Sequence, residues 1–201
     1  MSVMHTTEDT CWERVAFLHP TLEVARALLG ALIIRDLPEG RVSGRIVETE
    51  AYLRDDPACH AVRVLPGGEI IRRQTRSNAS MFGPPGLAYV YFTYGNHFML
   101  NVVTQPEGVP EAVLIRGLEP LEGLEIMAQR RGVDDPRAFT SGPGKLCKAL
   151  GIDRTLDGHD LSAAPLRLTR GRPVPDDRVL TTPRIGITRG VDLPWRFIIS
   201  C

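Results

Sequence analysis

Lysine is almost missing from these 201 residues: of the 24 basic side chains only Lys145 and Lys148 are amines, so any Schiff-base chemistry would rest on them. Cysteine is sparse too. Cys11, Cys59, Cys147 and Cys201 form no CxxC pair, which signals neither a disulfide framework nor a structural zinc site and leaves four free thiols in a reducing compartment. His60, His97 and His159 lack metal-ligand spacing to one another or to cysteine, so no metal or other cofactor is expected. Net charge is absent as well: 24 acidic residues balance the 24 basic ones, which argues against a coat on nucleic acid and confines any such binding to local patches. No apolar run approaches the ~20 residues that span a bilayer, and Met1 to Arg14 lacks the parts of a signal peptide. The expectation is a soluble cytoplasmic protein with no membrane partner.

What is present suffices for a core. With 43% hydrophobic and 24% charged residues the chain predicts one globular domain over residues 1–201, about the first 17 forming a flexible segment. Two basic patches stand out, Arg72, Arg73 and Arg76, and Lys145 with Lys148; a solvated face is the ordinary reading of such runs.

Helical spacing over Thr21 to Leu29, with Pro20 before it and Gly30 after, predicts a helix, and Ala31 to Arg35 a strand. Pro38-Glu39-Gly40 turns the chain into a strand over Gly44 to Tyr52. Asp56-Pro57 predicts the cap and first position of a short helix carrying His60, and Val64 to Gly68 a loop. Leu87 to Thr93 and Phe98 to Thr104 predict a hairpin turning at Tyr94-Gly95-Asn96, with Tyr89, Tyr91 and Thr93 on one face and Tyr94 near the tip. Ala112 to Arg116 reads as a strand, Leu121 to Arg131 as an amphipathic helix, and Gly144 to Leu150 as a helix opened by Ser141-Gly142-Pro143 and closed by Gly151. The tail predicts strands at Leu166 to Thr169, Arg184 to Thr188 and Phe197 to Ser200. The fold class is α+β: a mixed, mainly antiparallel β core, a protruding β-hairpin and peripheral helices.

The chemistry concentrates at Glu50. A glutamate ending a strand is usually a solvated charge, but Tyr52 shares its face by the period of two and Arg116 also ends an apolar run. A carboxylate beside a guanidinium stays ionised, and the two can hold one water between them, which makes a general base. The strand tyrosines have a bland reading as sheet-face residues; a turn tyrosine such as Tyr94 is harder to explain that way. Stacked aromatic faces beside an ionised carboxylate suit a flat, electron-poor ring such as a nucleobase. Ser141-Gly142-Pro143-Gly144-Lys145 lacks the spacing of a nucleotide-binding loop but suits a single phosphate.

In Arg45 to Tyr52, Tyr89 to Gly95 with Asn101, Val113 to Arg116 with Leu118 to Gly123, and Ser141 to Cys147, the chain resembles the alkyladenine DNA glycosylase family, the 3-methyladenine DNA glycosylases of mammalian type that many bacteria also carry. The resemblance runs from about Thr21 through Arg184-Ile185-Gly186-Ile187. It implies hydrolysis of the N-glycosidic bond of damaged purines in double-stranded DNA by a monomer at the bacterial nucleoid, with Glu50 as general base and Arg116 helping to hold the water. Tyr52, His60, Tyr91 and Asn101 would line the base pocket, the Ile187 carbonyl would complete the water site, and Tyr94 would enter the minor groove in place of the flipped nucleotide. Arg72, Arg73, Arg76 and Lys145 are the expected phosphate contacts. The spacing from Glu50 to His60 is one residue shorter than the mammalian pattern, and Asn96-His97 replaces bulkier or more apolar residues. Three other readings stand beside this one: a catalytically silent lesion binder, a free-nucleoside hydrolase, and a lyase using Lys145 or Lys148.

Overall fold

The computed structural model of the chain describes residues 10–93 and 95–200. Its sheet is organised by one long strand, β2 (Gly40–Tyr52). The first half of β2 pairs with β1 (Leu32–Leu37), while Glu48 to Glu50 pair with β10 (Arg196–Ile199). Along its other edge β2 pairs with β7 (Glu111–Glu122), with register shifts at Ser43/Gly44 and on both sides of Glu48. Such bulges bend a strand and raise its twist, which curls the sheet around the end of β2. The hairpin of β5 (Ala88–Thr93) and β6 (His97–Thr104) continues the sheet beyond β7, β8 (Leu166–Thr169) lies beyond β1, and β9 (Val179–Thr182) pairs with β10. These eight strands pair antiparallel, and β3 (Val62–Val64) with β4 (Ile70–Arg72) makes a separate two-stranded ribbon. Among the described residues no helix is long and apolar enough to cross a membrane.

Period-two alternation assigns the two faces of this sheet to different tasks. Ala51 of β2, Ala88 and Val90 of β5, Leu100 and Val102 of β6, and Val113 and Ile115 of β7 enter the main core with α1 (Thr21–Ala27) and α3 (Pro143–Leu150). Side chains this well buried contribute about 1.5–3 kcal/mol each for a Val, Leu or Ile. Thr49 points the same way and its hydroxyl donates to the Ala25 carbonyl at 2.8 Å, fixing α1 on β2. The intervening residues of β2, β5, β6 and β7 face the other side, where the site lies.

The helices begin and end where local chemistry dictates. Pro143 opens α3 with a residue that has no amide hydrogen to orphan, and Gly151 closes it in the left-handed region at φ 59°. Gly144 is required by packing: a Cβ there would lie 2.7 Å from the His97 ring, so only glycine lets the first turn of α3 press on the start of β6.

Three expectations are corrected. Leu121 belongs to β7, and α2 starts only at Leu124 (Leu124–Arg131), because Gly123 turns the chain at φ 71° against the Arg41 carbonyl. Asp56-Pro57 begins a series of turns and not a helix: Asp56 Oδ1 accepts the Ala58 amide at 3.0 Å, closing an Asx turn, and the carboxylate is claimed by Arg184. Arg184 to Thr188 is a loop, the neighbouring strand being β9, because Arg184 turns inward to that ion pair and the Ile185 amide is used on a side chain. Val64 ends β3 opposite Ile70, and the rest of the expected loop, Leu65 to Gly68, is irregular as read. At the N-terminal side, Arg14 to Leu18 forms a 3₁₀ turn that buries Phe17 in the core.

Candidate active site

Glu50 is fully buried, and its carboxylate accepts three donors. The Ile185 amide donates to Oε1 at 2.8 Å, the Tyr52 hydroxyl donates to Oε2 at 2.9 Å, and Arg116 Nη1 reaches Oε2 at 3.4 Å. Each donor comes from a different part of the fold: the strand of Glu50 itself, its neighbour β7, and the loop after β9. A carboxylate oxygen accepts two hydrogen bonds, so Oε1, which accepts the Ile185 amide, keeps capacity for a further partner.

Arg116 is itself held. Its Nε donates to Glu48 Oε1 at 2.9 Å, and the same oxygen accepts Arg196 Nε at 2.5 Å, while Arg196 Nη1 donates to Thr182 Oγ1 at 3.1 Å. Two carboxylates and two guanidiniums thus alternate along the end of β2, β7 and β10, in a partly buried setting where ion pairs are less screened than at the surface.

Tyr52, Arg116 and Ile185 form one end of a cavity of about 270 Å³. Tyr89, Tyr91, Asn101 and Ile187 line it too, and its size suits a single flat heterocycle. Burial and then the Glu50 charge raise the Tyr52 pKa far above the ordinary phenol value, so its hydroxyl remains a donor. Burial does the same to Tyr89, whose ring lies 5.3 Å from that of Tyr91. His60 meets Tyr91 edge-on at 4.1 Å, and its Nδ1 is 3.1 Å from the Tyr89 hydroxyl. One side of the imidazole meets solvent, yet the tyrosine side is crowded, and that loss of hydration lowers its pKa below the usual 6.5. Asn101 is buried, and its amide donates to the Tyr89 carbonyl at 3.1 Å.

Of the residues singled out from sequence, Arg116, Tyr52, His60, Tyr91, Asn101 and Ile187 line this cavity, and Glu50 is buried behind the wall, bonded to Tyr52, Arg116 and the Ile185 amide. Tyr94 lies outside the described residues. Arg72, Arg73 and Arg76 are exposed on and after β4; Arg72 is engaged by Asp55 and by the Arg54 carbonyl at 3.3 Å. Lys145 is exposed at the start of α3, donating to Ser141 Oγ at 3.3 Å, and Pro143 beside it reaches the cavity wall. Among the described residues no group of three His, Cys, Asp or Glu side chains is placed to hold a metal ion.

Sequence reasoning missed four side chains and one amide. Glu48 was within reach, since it stands two residues before Glu50 and shares its strand face. Arg196, Arg184 and the Ile185 amide carry no local pattern, and Asp56 announces a cap but not its ion pair. The Arg184–Asp56 pair is fully buried and joins positions 128 residues apart, tying the loop that supplies the Ile185 amide to the turn that carries His60.

A family model described as methylpurine-DNA glycosylase matches residues 15–201. The chain is 49% identical over 183 residues to a protein of Chlorobaculum parvum, covering 90% of this chain and 83% of the relative. It is 47% identical over 188 residues to one of Salinibacter ruber, covering 92% and 90%. A protein of Rhodopseudomonas palustris strain HaA2 is 50% identical over 181 residues, covering 90% and 83%. All three are named "Putative 3-methyladenine DNA glycosylase".

Proposed function

The chain belongs to the methylpurine-DNA glycosylase family, and we propose that it removes alkylated and deaminated purines from duplex DNA by hydrolysing the N-glycosidic bond with a Glu50-activated water, leaving an abasic site. The observation that carries this reading is the buried Glu50 carboxylate, held by Tyr52, Arg116 and Ile185 where those three residues form one end of an aromatic cavity. A purine inside a duplex cannot reach such a cavity, so the nucleotide leaves the stack first, at a cost of a few kcal/mol that is smaller for damaged or mispaired bases. Tyr94 fills the gap in the stack, and Arg72, Arg73, Arg76 and Lys145 contact phosphates.

A water taking the second acceptor position of Glu50 Oε1 attacks C1′ of the sugar. Its proton passes to Glu50 and the glycosidic electron pair leaves with the base; a purine methylated at N3 or N7 departs neutral, whereas hypoxanthine, neutral in DNA, must also take up a proton as it leaves. The transition state resembles an oxocarbenium sugar, which the carboxylate also stabilises by charge. Arg116 and the Ile187 carbonyl hold the water in line.

The test is single-turnover release from duplexes carrying one lesion each: 3-methyladenine, 7-methylguanine, hypoxanthine or ethenoadenine. The wild-type chain releases at least one of them, and Glu50→Gln retains lesion binding while losing most of the rate; near-normal turnover by that variant removes Glu50 from the base role. Parallel reactions with free nucleosides are expected to give no release. Borohydride leaves no covalent adduct when water, and not Lys145 or Lys148, is the nucleophile.

A further inference from the structure

The guanidinium of Arg184 lies 4.6 Å over the Tyr52 ring and 5.0 Å over that of Trp195. Its side chain is fully buried and is not part of the cavity wall, whereas Tyr52 is. Arg184 therefore covers the protein-side face of a ring that also borders the cavity. Asp56 accompanies it: Nη2 donates to Asp56 Oδ1 at 3.0 Å, and Nη1 donates to the second carboxylate oxygen and, at 3.0 Å, to the Ala51 carbonyl. The carboxylate offsets part of the positive field, but the guanidinium is the group stacked on the ring.

A phenol that carries a cation on one face is a poorer host for a second cation on the other, since the two charges repel through it with little water to screen them. The cavity otherwise favours positive ligands. Glu50 is negative, Tyr52 and Tyr91 offer π faces, and the lowered pKa of His60 keeps that imidazole neutral at neutral pH. Arg184 is the one charge stacked behind an aromatic wall of this cavity among the described residues, and it acts against that preference.

We propose that Arg184 is a positioning residue that sets the lesion-charge preference through Tyr52: it weakens the hold on cationic purines and so lets neutral ones compete. This rests on the base-excision reading above and adds to it a residue that never touches the substrate.

The test compares single-turnover release of 7-methylguanine, whose ring is cationic at mildly acidic pH, with that of hypoxanthine, which is neutral, and reads the ratio of the two rates. Replacing the buried pair by a neutral one, Arg184→Gln with Asp56→Asn, is expected to raise the cationic-to-neutral ratio by about threefold to tenfold. Asp56→Asn alone strips the guanidinium of its counter-charge and lowers the ratio. Arg184→Lys keeps both charges but loses the stacked plane and the two-pronged grip on Asp56, so it separates charge from shape and is expected to leave the ratio within about twofold when charge alone sets it. A role confined to propping the pocket would shift the paired and single variants in the same direction, so opposite shifts support the proposal. A ratio unchanged or lowered in the paired variant, or raised in Asp56→Asn, overturns it. Where neither of those variants folds, Arg184→Lys decides, and a ratio moved well beyond twofold overturns the proposal. A wild-type chain that releases neither base defeats the base-excision reading itself, whereas release of both with an unmoved ratio defeats only the role of Arg184.

Discussion

Glu48 holds Arg116 more closely than Glu50 does: the Arg116 Nε bond to Glu48 Oε1 is 2.9 Å, against 3.4 Å from Nη1 to Glu50 Oε2. The short bond fixes the guanidinium so that its far nitrogen is presented to the buried carboxylate. Glu48→Gln removes the charge that anchors Arg116 and leaves Arg196 to compete for the same amide oxygen. Excision is expected to slow by about tenfold to a hundredfold, the range for misplaced catalytic groups, while affinity for lesion DNA stays within about twofold. Single-turnover rates and direct binding measure the two quantities, and an unchanged rate would show that Arg116 keeps its place without this partner.

The difference between Glu50 and Arg184 shows what a sequence can announce. Glu50 stands out because β2 alternates: Thr49 and Ala51 turn to the core, so Glu50 and Tyr52 must share the opposite face. The same rule placed Tyr89, Tyr91 and Thr93 on one side of β5, where they do line the cavity. Arg184 follows a proline and precedes Ile-Gly-Ile, which reads locally as a short strand. What overrides that reading is Asp56, 128 residues away, and no local period encodes so distant a partner. Leu121 was misassigned for a more ordinary reason: its apolar spacing fits a helix, but the left-handed turn at Gly123 fixes the boundary two residues later.

His60 makes stability depend on pH. Above its ordinary pKa of 6.5 the imidazole is neutral in the folded and unfolded chains, and its contribution to stability is complete. As pH falls through that value the unfolded chain takes up a proton first, because burial against the tyrosines holds the folded pKa lower, and stability is lost until the folded group is protonated too. Melting temperature is therefore expected to fall less on mild acidification in His60→Gln than in the wild type. Parallel curves for the two proteins would contradict the assigned environment.

Burial raises the Cys59 and Cys147 thiols to about 12, so almost no thiolate forms at neutral pH. Both are expected to remain unmodified when the folded protein is treated with iodoacetamide and to react after denaturation. Mass spectrometry of digested peptides reads this directly. Rapid labelling of Cys147 without unfolding would mean that α3 opens from the sheet far more readily than its buried face suggests.

Gly144 tests the contact between α3 and the hairpin. A methyl group there would meet His97 Cγ at 2.7 Å, and the neighbour is a ring that cannot simply swing away as a long chain end would. Gly144→Ala is expected to cost about 1–3 kcal/mol in urea unfolding, the usual range for overpacking, although alanine favours the helix more than glycine does. A gain in stability would show that the first turn of α3 yields without penalty.

Asn78 joins the basic loop to the pocket wall. It is buried, its Oδ1 accepts the Thr75 amide at 2.6 Å and hydroxyl at 3.1 Å, and its Nδ2 donates to the carbonyls of Arg73 at 3.0 Å and His60 at 3.1 Å. Asn78→Asp keeps the shape and both accepted bonds but replaces two donations by a carboxylate facing two carbonyl oxygens. The loss of those bonds and the buried repulsion together should destabilise the fold by about 2 kcal/mol or more. The loop bearing Arg73 and Arg76 would then be released from the backbone of His60, so lesion-DNA affinity should weaken and its dependence on salt should shrink, as fewer phosphates are neutralised. Asn78→Ala lacks the charge but also loses both bonds that Oδ1 accepts, and is expected to weaken affinity to a similar extent. Loss of stability with affinity and salt slope unchanged in both variants would separate this loop from DNA binding and leave Asn78 a purely structural tie.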